Sequence, residues 1–220
     1  MRVQVAVVAA LLLAVVPVLS QDTADLKIDY SNPGLTPSHW VLEFHPDGTG
    51  HFHSERGNNA PVDGLETMEP GSIDRDIQLE PSFAAHMFDI VRRHRLFKAS
   101  CESHMKVAFQ GWKKISYSGP DGQGTCEFNF AKDHEIENMG ESLVAVAATV
   151  NEGARLQLIL QHDPLGLDKE MQFLLEGSGD GRLQQVCTIS GILKQLEDDP
   201  SVMDRVRRRA RMLLEQADKN

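Results

Sequence analysis

Residues 40–53 read WVLEFHPDGTGHFH, and this stretch decides the fold. Large apolar residues alternate with polar ones on both sides of Pro46-Asp47-Gly48, which is the pattern of two strands joined by a tight turn. Proline sets the first corner of such a turn, and glycine accepts the positive φ at its end. The stretch therefore predicts a β-hairpin with a type I turn and a bulge, and with one face turned toward a core.

The polar face of this hairpin is the strongest candidate site in the sequence. Alternation places Glu43, His45, His51 and His53 together, opposite the aromatic residues. Facing side chains on paired strands lie about 5 Å apart, so these imidazoles and the carboxylate could hold Zn²⁺, Cu²⁺ or Ni²⁺. The alternative is a solvated polar face on which the histidines are simply exposed. The sequence leaves both readings open.

Further elements follow the hairpin. A helix is predicted to open at Pro81, where the missing N–H is tolerated, and a second hairpin is predicted over residues 112–130. Asp133 is placed to cap another helix. Ile73, Ile77 and Leu79 share one side of a further stretch, so an additional strand is left open.

This order of elements predicts an α+β fold. We expect an antiparallel sheet of two hairpins, with or without a fifth strand, and helices on one of its faces. The predicted α+β domain covers residues 39–150, after an extended lead-in over residues 21–38. Residues 151–220 contain four amphipathic stretches separated by proline and glycine, and they predict an all-helical C-terminal segment.

The N-terminal twenty residues predict a secretory signal peptide. Arg2 precedes a nearly unbroken apolar run, and the run ends at Pro17 and Ser20. An uncleaved anchor needs about 20 apolar residues, and this run is slightly short. We expect cleavage after Ser20, no transmembrane segment after cleavage, and a soluble product in the periplasm or outside the cell.

The charge of the chain excludes one class of partner. The sequence holds 22 Lys and Arg against 32 Asp and Glu, for a net charge of −10, and the loss of Arg2 would make it −11. An acidic chain repels polyanions, so nucleic-acid binding is not expected.

Three cysteines follow the predicted signal peptide. Export permits disulfides, and an odd number leaves one thiol unpaired. Cys101 and Cys126 lie in the polar, turn-rich middle of the chain, whereas Cys187 lies on the apolar side of a helical pattern. We predict a Cys101–Cys126 disulfide and a buried Cys187, with three reduced thiols as the alternative.

The last predicted helix carries a basic face. Its arginines include Arg205, Arg208 and Arg209, opposite a stripe of apolar residues. This face is a candidate contact for an acidic partner or for anionic lipid of the cell envelope. The alternative is an exposed face that pairs with carboxylates of the same chain.

Residues 39–150 also resemble an uncharacterised domain of exported bacterial proteins. The resemblance lies in the Asp47-Gly48-Thr49 turn after an aromatic-apolar strand, in the helix ending at Leu96-Phe97, and in the later hairpin. It implies an α+β fold and supplies no catalytic residues. The cysteines of that family's first strand are absent here.

Three functions follow from these patterns. The first is an exported, non-catalytic binding or interaction protein, whose partner is an unidentified protein or small ligand and which needs no cofactor. The second is a metal-binding protein or metal-dependent hydrolase that uses the histidine-rich hairpin with zinc or another transition metal. The third is an envelope-associated protein that uses the arginine-rich helix. No catalytic motif is recognised in the sequence, so the first is favoured.

Overall fold

The computed structural model describes residues 24–57 and 68–218. The predicted signal peptide, residues 1–20, lies outside the described residues. The described chain forms an α+β fold, as predicted: a six-stranded antiparallel sheet with helices on one face, followed by a helical region.

The sheet has the strand order β4-β3-β2-β1-β5-β6. Its strands are β1 (Asp25–Ser31), β2 (His39–Phe44), β3 (Thr49–Glu55), β4 (Ile73–Gln78), β5 (Trp112–Gly119) and β6 (Gly122–Phe128). The five helices are α1 (Pro81–Arg93), α2 (His134–His162), α3 (Leu167–Asp180), α4 (Ser190–Asp198) and α5 (Asp204–Ala217). Short 3-10 turns cover Arg95–Phe97 and Val186–Ile189.

Both predicted hairpins are present. In the first, the His45 N–H donates to the Thr49 carbonyl at 2.8 Å, and Gly48 has a φ of 83°. A side chain at Gly48 would also collide with the backbone carbonyl of Leu79, so both the positive φ and the lack of space require glycine there. The optional strand is present as β4, which pairs with β3.

The predicted extended lead-in is corrected by the structure. Residues 25–31 of that stretch form β1, which lies at the centre of the sheet between β2 and β5. Leu26, Ile28 and Tyr30 are buried there, while the alternate side chains point outward. The alternating pattern is the same as in β2, and the prolines and glycine at residues 33–37 belong to the connection that follows the strand.

The boundary predicted at residue 150 is also corrected. Asp133 caps α2 as predicted, by accepting from the Glu135 and Ile136 N–H groups, but the helix continues for 29 residues to His162. Gly153 does not end the helix, because its missing side chain makes room for Ile189, which an added Cβ would meet at 2.3 Å. The first half of α2 covers the sheet and its second half joins the helical region.

Two apolar cores result from this arrangement. The first lies between the inner face of the sheet, α1 and the first half of α2. The second joins the end of α2 to α3, α4 and α5. By length and composition α2 could span a membrane, but here its apolar residues face these two cores, as in the central helix of a globular protein.

Candidate functional site

The outward side chains of β1–β4 form a polar surface that we call the histidine face. The inward residues of these strands are buried except for the half-buried Gly50 and Arg75, whereas the outward ones are exposed or half-buried in the described part of the chain. The ionisable members of the face are His39, His45, His51, His53, Asp25, Asp29, Glu43, Glu55, Asp74, Asp76 and Lys27. It therefore contains the four residues predicted from the first hairpin.

Strand register explains how these groups meet. His51 lies opposite Glu43 on β2 and opposite Asp76 on β4, whereas His53 lies opposite Asp74. Lys27 of β1 lies opposite Glu43 on its other side. The face is thus a set of cross-strand rows in which imidazoles and carboxylates alternate.

The closest cluster lies on β3 and β4. His51 contacts Asp76 through Nδ1 at 2.9 Å and Asp74 through Nε2 at 3.2 Å, and Nδ1 of His53 contacts the other oxygen of Asp74 at 2.9 Å. The hydrogen bond with Asp76 raises the pKa of His51. The hydrogen bond from His53 lowers the pKa of Asp74.

The other two histidines contact β1. Nδ1 of His45 lies 2.7 Å from a carboxylate oxygen of Asp25, and Nε2 of His39 lies 3.0 Å from Asp29. The sequence pattern did not identify His39 or these aspartates as part of the site. Their contribution depends on the pairing of β1 with β2, which the lead-in prediction did not include.

The histidine face has a strong excess of negative charge. Its six carboxylates against one lysine leave a charge of −5 when the imidazoles are neutral, and protonation of all four would reduce this to −1. Like charges on one open surface attract cations and repel anions. With neutral imidazoles, the face therefore attracts cations more than anions.

A cleft of about 680 Å³ opens at the β4 side of the face. Glu43, His45, His51 and Asp76 line it from the sheet, Thr188 lines it from the Val186–Ile189 turn, and Ser190 and Gly191 line it from the start of α4. The helical region therefore supplies one wall of a cleft whose other wall is the histidine face.

Cys187 also lines this cleft, and it is half-buried in a 3-10 turn, where the sequence predicted a fully buried helical residue. Its Sγ lies 3.5 Å from the carbonyl oxygen of Gln78. Burial raises the pKa of this thiol to about 11. The protonated thiol is a weak nucleophile at neutral pH, which favours a packing role.

The residues of the face do not form a ready metal site. Within residues 24–57 and 68–218, no group of three or more His, Cys, Asp or Glu side chains has an arrangement that could hold a metal ion. Both nitrogens of His51 already face carboxylate oxygens. Zinc at His51 and His53 would have to displace these hydrogen bonds.

The predicted cysteine pair lies at the edge of the sheet. Cys101 and Cys126 form a disulfide with a Cα–Cα distance of 5.6 Å. The bond ties the segment that follows the Arg95–Phe97 turn to β6, whose outer edge has no neighbouring strand. The disulfide therefore secures an edge rather than a catalytic centre.

The arginines of α5 pair with carboxylates of the same chain. Arg205 lies 2.9 Å from Asp168, Arg209 contacts the same carboxylate, and Arg211 lies 2.7 Å from Glu197. Arg208 is exposed, and the described part of the chain supplies it with no carboxylate. Most of the positive charge predicted for an envelope contact is thus compensated within the helical region.

The sequence matches no protein-family model, and a search of curated proteins returned no significant match. The resemblance of residues 39–150 to an uncharacterised exported domain therefore stays a prediction, and function has to be argued from the site.

Proposed function

We propose that this chain is an exported, non-catalytic binding protein whose histidine face contacts a cationic partner. The observation that carries the proposal is the charge of that face, −5 on an open sheet surface with neutral imidazoles. Its side chains are also preorganised, because Asp25, Asp29, Asp74 and Asp76 each contact an imidazole. Preorganised charges lose less entropy when a ligand binds.

Export rests on the sequence of residues 1–20 and on the disulfide, which forms in oxidising compartments. N-terminal sequencing of the protein recovered outside the cytoplasm of a bacterial host tests this part. We expect Gln21 as the first residue. A chain that stays in the cytoplasm with residues 1–20 attached would contradict export.

Binding can be tested with peptides of defined charge. We expect an eight-residue peptide of alternating lysine and serine to bind the chain in calorimetry, and its glutamate counterpart not to bind. Asp74→Asn/Asp76→Asn removes two carboxylates and should weaken binding about tenfold. Glu215→Gln/Asp218→Asn removes two carboxylates from the end of α5 and serves as the matched control. Equal binding of the two peptides would contradict the proposal.

Transition-metal binding is a second candidate for the same face. The observation that favours it is the single carboxylate of Asp74, which contacts both His51 and His53. Zinc titration followed by calorimetry tests it, with His51→Ala/His53→Ala as the variant. A heat of zinc binding that disappears in this variant would support metal binding. The absence of any binding heat would contradict it.

A further inference from the structure

The segment that leads into β5, next to the histidine face, carries three exposed apolar side chains. Met105, Phe109 and Trp112 are 63%, 57% and 41% exposed, and they lie within eight residues of one another. We call these three residues the apolar corner. Their exposure leaves apolar area in water, and a partner that covered it would gain from the hydrophobic effect.

The backbone beneath the apolar corner is firmly held. The Gln110 N–H donates to the side chain of Asn129 at 2.8 Å, and the Tyr30 hydroxyl donates to the Gln110 carbonyl at 2.9 Å. Gly111, with a φ of 106°, lies directly against the Tyr30 ring. The segment therefore presents its side chains from a fixed backbone, so a partner would not have to order it.

Register connects the apolar corner to the histidine face. Trp112 lies opposite Ser31 of β1, and Ser31 lies opposite His39 of β2. Trp112 and His39 are thus two strands apart in one outward row. A ligand that extends along this row touches indole at one end and the imidazoles and carboxylates at the other.

We infer that the apolar corner and the histidine face form one docking surface for a cationic, amphipathic polypeptide segment. The inference rests on the proposed function and adds the apolar half of the ligand. Lysine or arginine side chains would meet carboxylates such as Asp29 and Glu55, while apolar side chains would cover Phe109 and Trp112. Lys106 of the corner segment and Lys114 of β5, which lies opposite Asp29, are exposed cations, and the six carboxylates of the face outweigh them.

The charge of the histidine face favours a cationic peptide over an anionic lipid surface. Exposed Trp and Phe are also typical of residues at a membrane interface. An anionic bilayer that approached the corner would, however, meet the adjacent face at −5, and this repulsion acts over a Debye length of about 8 Å at physiological salt. A cationic amphipathic peptide would instead contact the carboxylates of the face and the apolar side chains of the corner at the same time.

Two peptides of equal charge test the inference on the chain as recovered after export. One alternates lysine with leucine and the other alternates lysine with serine. We expect the leucine peptide to bind at least tenfold more tightly. Phe109→Ser/Trp112→Thr should remove this advantage and leave the affinity for the serine peptide within about twofold. Leu165→Ser, which changes a side chain that is 78% exposed in the helical region, is the matched control.

The outcomes of this experiment distinguish a failure of the inference from a failure of the proposed function. If neither peptide binds, the proposed function fails and the inference fails with it. If both bind equally and the corner variant changes nothing, the inference fails while the proposed function stands. Sedimentation with anionic vesicles that depends on Phe109 and Trp112 would overturn it in favour of lipid, and a dimer lost in the corner variant would overturn it in favour of self-association.

Discussion

The sheet region and the helical region treat their charges in opposite ways. In the helical region, Asp168 and Glu197 contact Arg205, Arg209 and Arg211, so the charges cancel locally. On the outward face of β1–β4, six carboxylates are matched by one lysine and four histidines, which leaves a charge of −5 when the imidazoles are neutral. The outward face of β1–β4 therefore keeps a negative charge that no cation of the described residues cancels, whereas carboxylates of the helical region compensate the arginines of α5.

The two regions also differ in what they bury. The sheet region buries an ion pair between Lys113 of β5 and Glu137 of α2, with Nζ 3.8 Å from Oε1 and side chains that are 3% and 5% exposed. Burial lowers the pKa of Lys113. The helical region instead holds two neighbouring carboxyl groups, a half-buried Glu152 on α2 and a buried Glu170 on α3, and burial together with Glu170 raises the pKa of Glu152.

The largest expected effect follows from the buried ion pair. Lys113→Met leaves the Glu137 carboxylate without its cation in the first core, so we expect a loss of about 3–5 kcal/mol in the free energy of unfolding. Urea denaturation measures it. Lys113→Met/Glu137→Gln removes both charges and should recover part of the loss. A single variant within about 1 kcal/mol of the native chain would show that this pair is unimportant.

The next effect concerns the disulfide. Cys101→Ser/Cys126→Ser opens a loop whose ends are 25 residues apart, and we expect a loss of about 2–4 kcal/mol. Urea unfolding under oxidising conditions gives the value. Cys187→Ser is the control, because that thiol is unpaired. Equal stability of the double variant and the native chain would contradict a structural role for the bond.

The next effect is a pH dependence of stability that comes from the two carboxyl groups of the helical region. Burial and the Glu170 carboxyl raise the pKa of Glu152 to about 8, whereas the unfolded chain releases this proton near 4.5. The unfolded chain therefore binds fewer protons between these values, and stability falls as pH rises from about 4.5 to 8. Glu152→Gln should remove this fall and increase stability at pH 8 by about 2 kcal/mol.

Urea titrations at pH 5 and pH 8 measure this effect. Glu215→Gln, at an exposed position of α5, provides the control. If Glu152→Gln and the native chain lose stability equally between the two pH values, Glu152 is not the group responsible.

The smallest effect is the pH dependence of binding on the sheet. Asp74 and Asp76 of β4 and Glu43 of β2 face His51, and the hydrogen bond with Asp76 raises its pKa. Protonation of His51 in acid adds positive charge to the face, so the lysine-serine peptide should bind about threefold more weakly at pH 5.5 than at pH 7.5. Calorimetry of His51→Gln, which cannot gain this charge, should show a smaller change. Tighter binding in acid would contradict the electrostatic account.

Local patterns predicted much of this molecule, because turns and caps are local chemistry. The Pro46-Asp47-Gly48 turn, the Asp133 cap and the shared face of His51 and His53 all depend on neighbours in sequence. The carboxylate partners of those histidines do not depend on neighbours in sequence. Asp74 reaches them through strand pairing across a segment of about twenty residues, and such pairings carry no local signal.

Other differences between the sequence-based predictions and the structure lie at residues that have two roles. Gly153 resembles the end of a helix, but it serves a close contact with Ile189 inside α2. Lys113 follows the inward alternation of β5 with Ile115, so its burial was visible in the pattern, but lysine is seldom buried without a partner on another element. That partner, Glu137, could not be found from spacing alone.

The most direct test of the account is to locate the bound lysine-serine peptide by amide chemical-shift changes in NMR. We expect the changes to concentrate at outward positions of β1–β4, with His51, His53 and Asp74 among the largest, while α3–α5 stay unchanged beyond the start of α4. Changes centred on the helical region, or no change at peptide concentrations of about 1 mM, would contradict it.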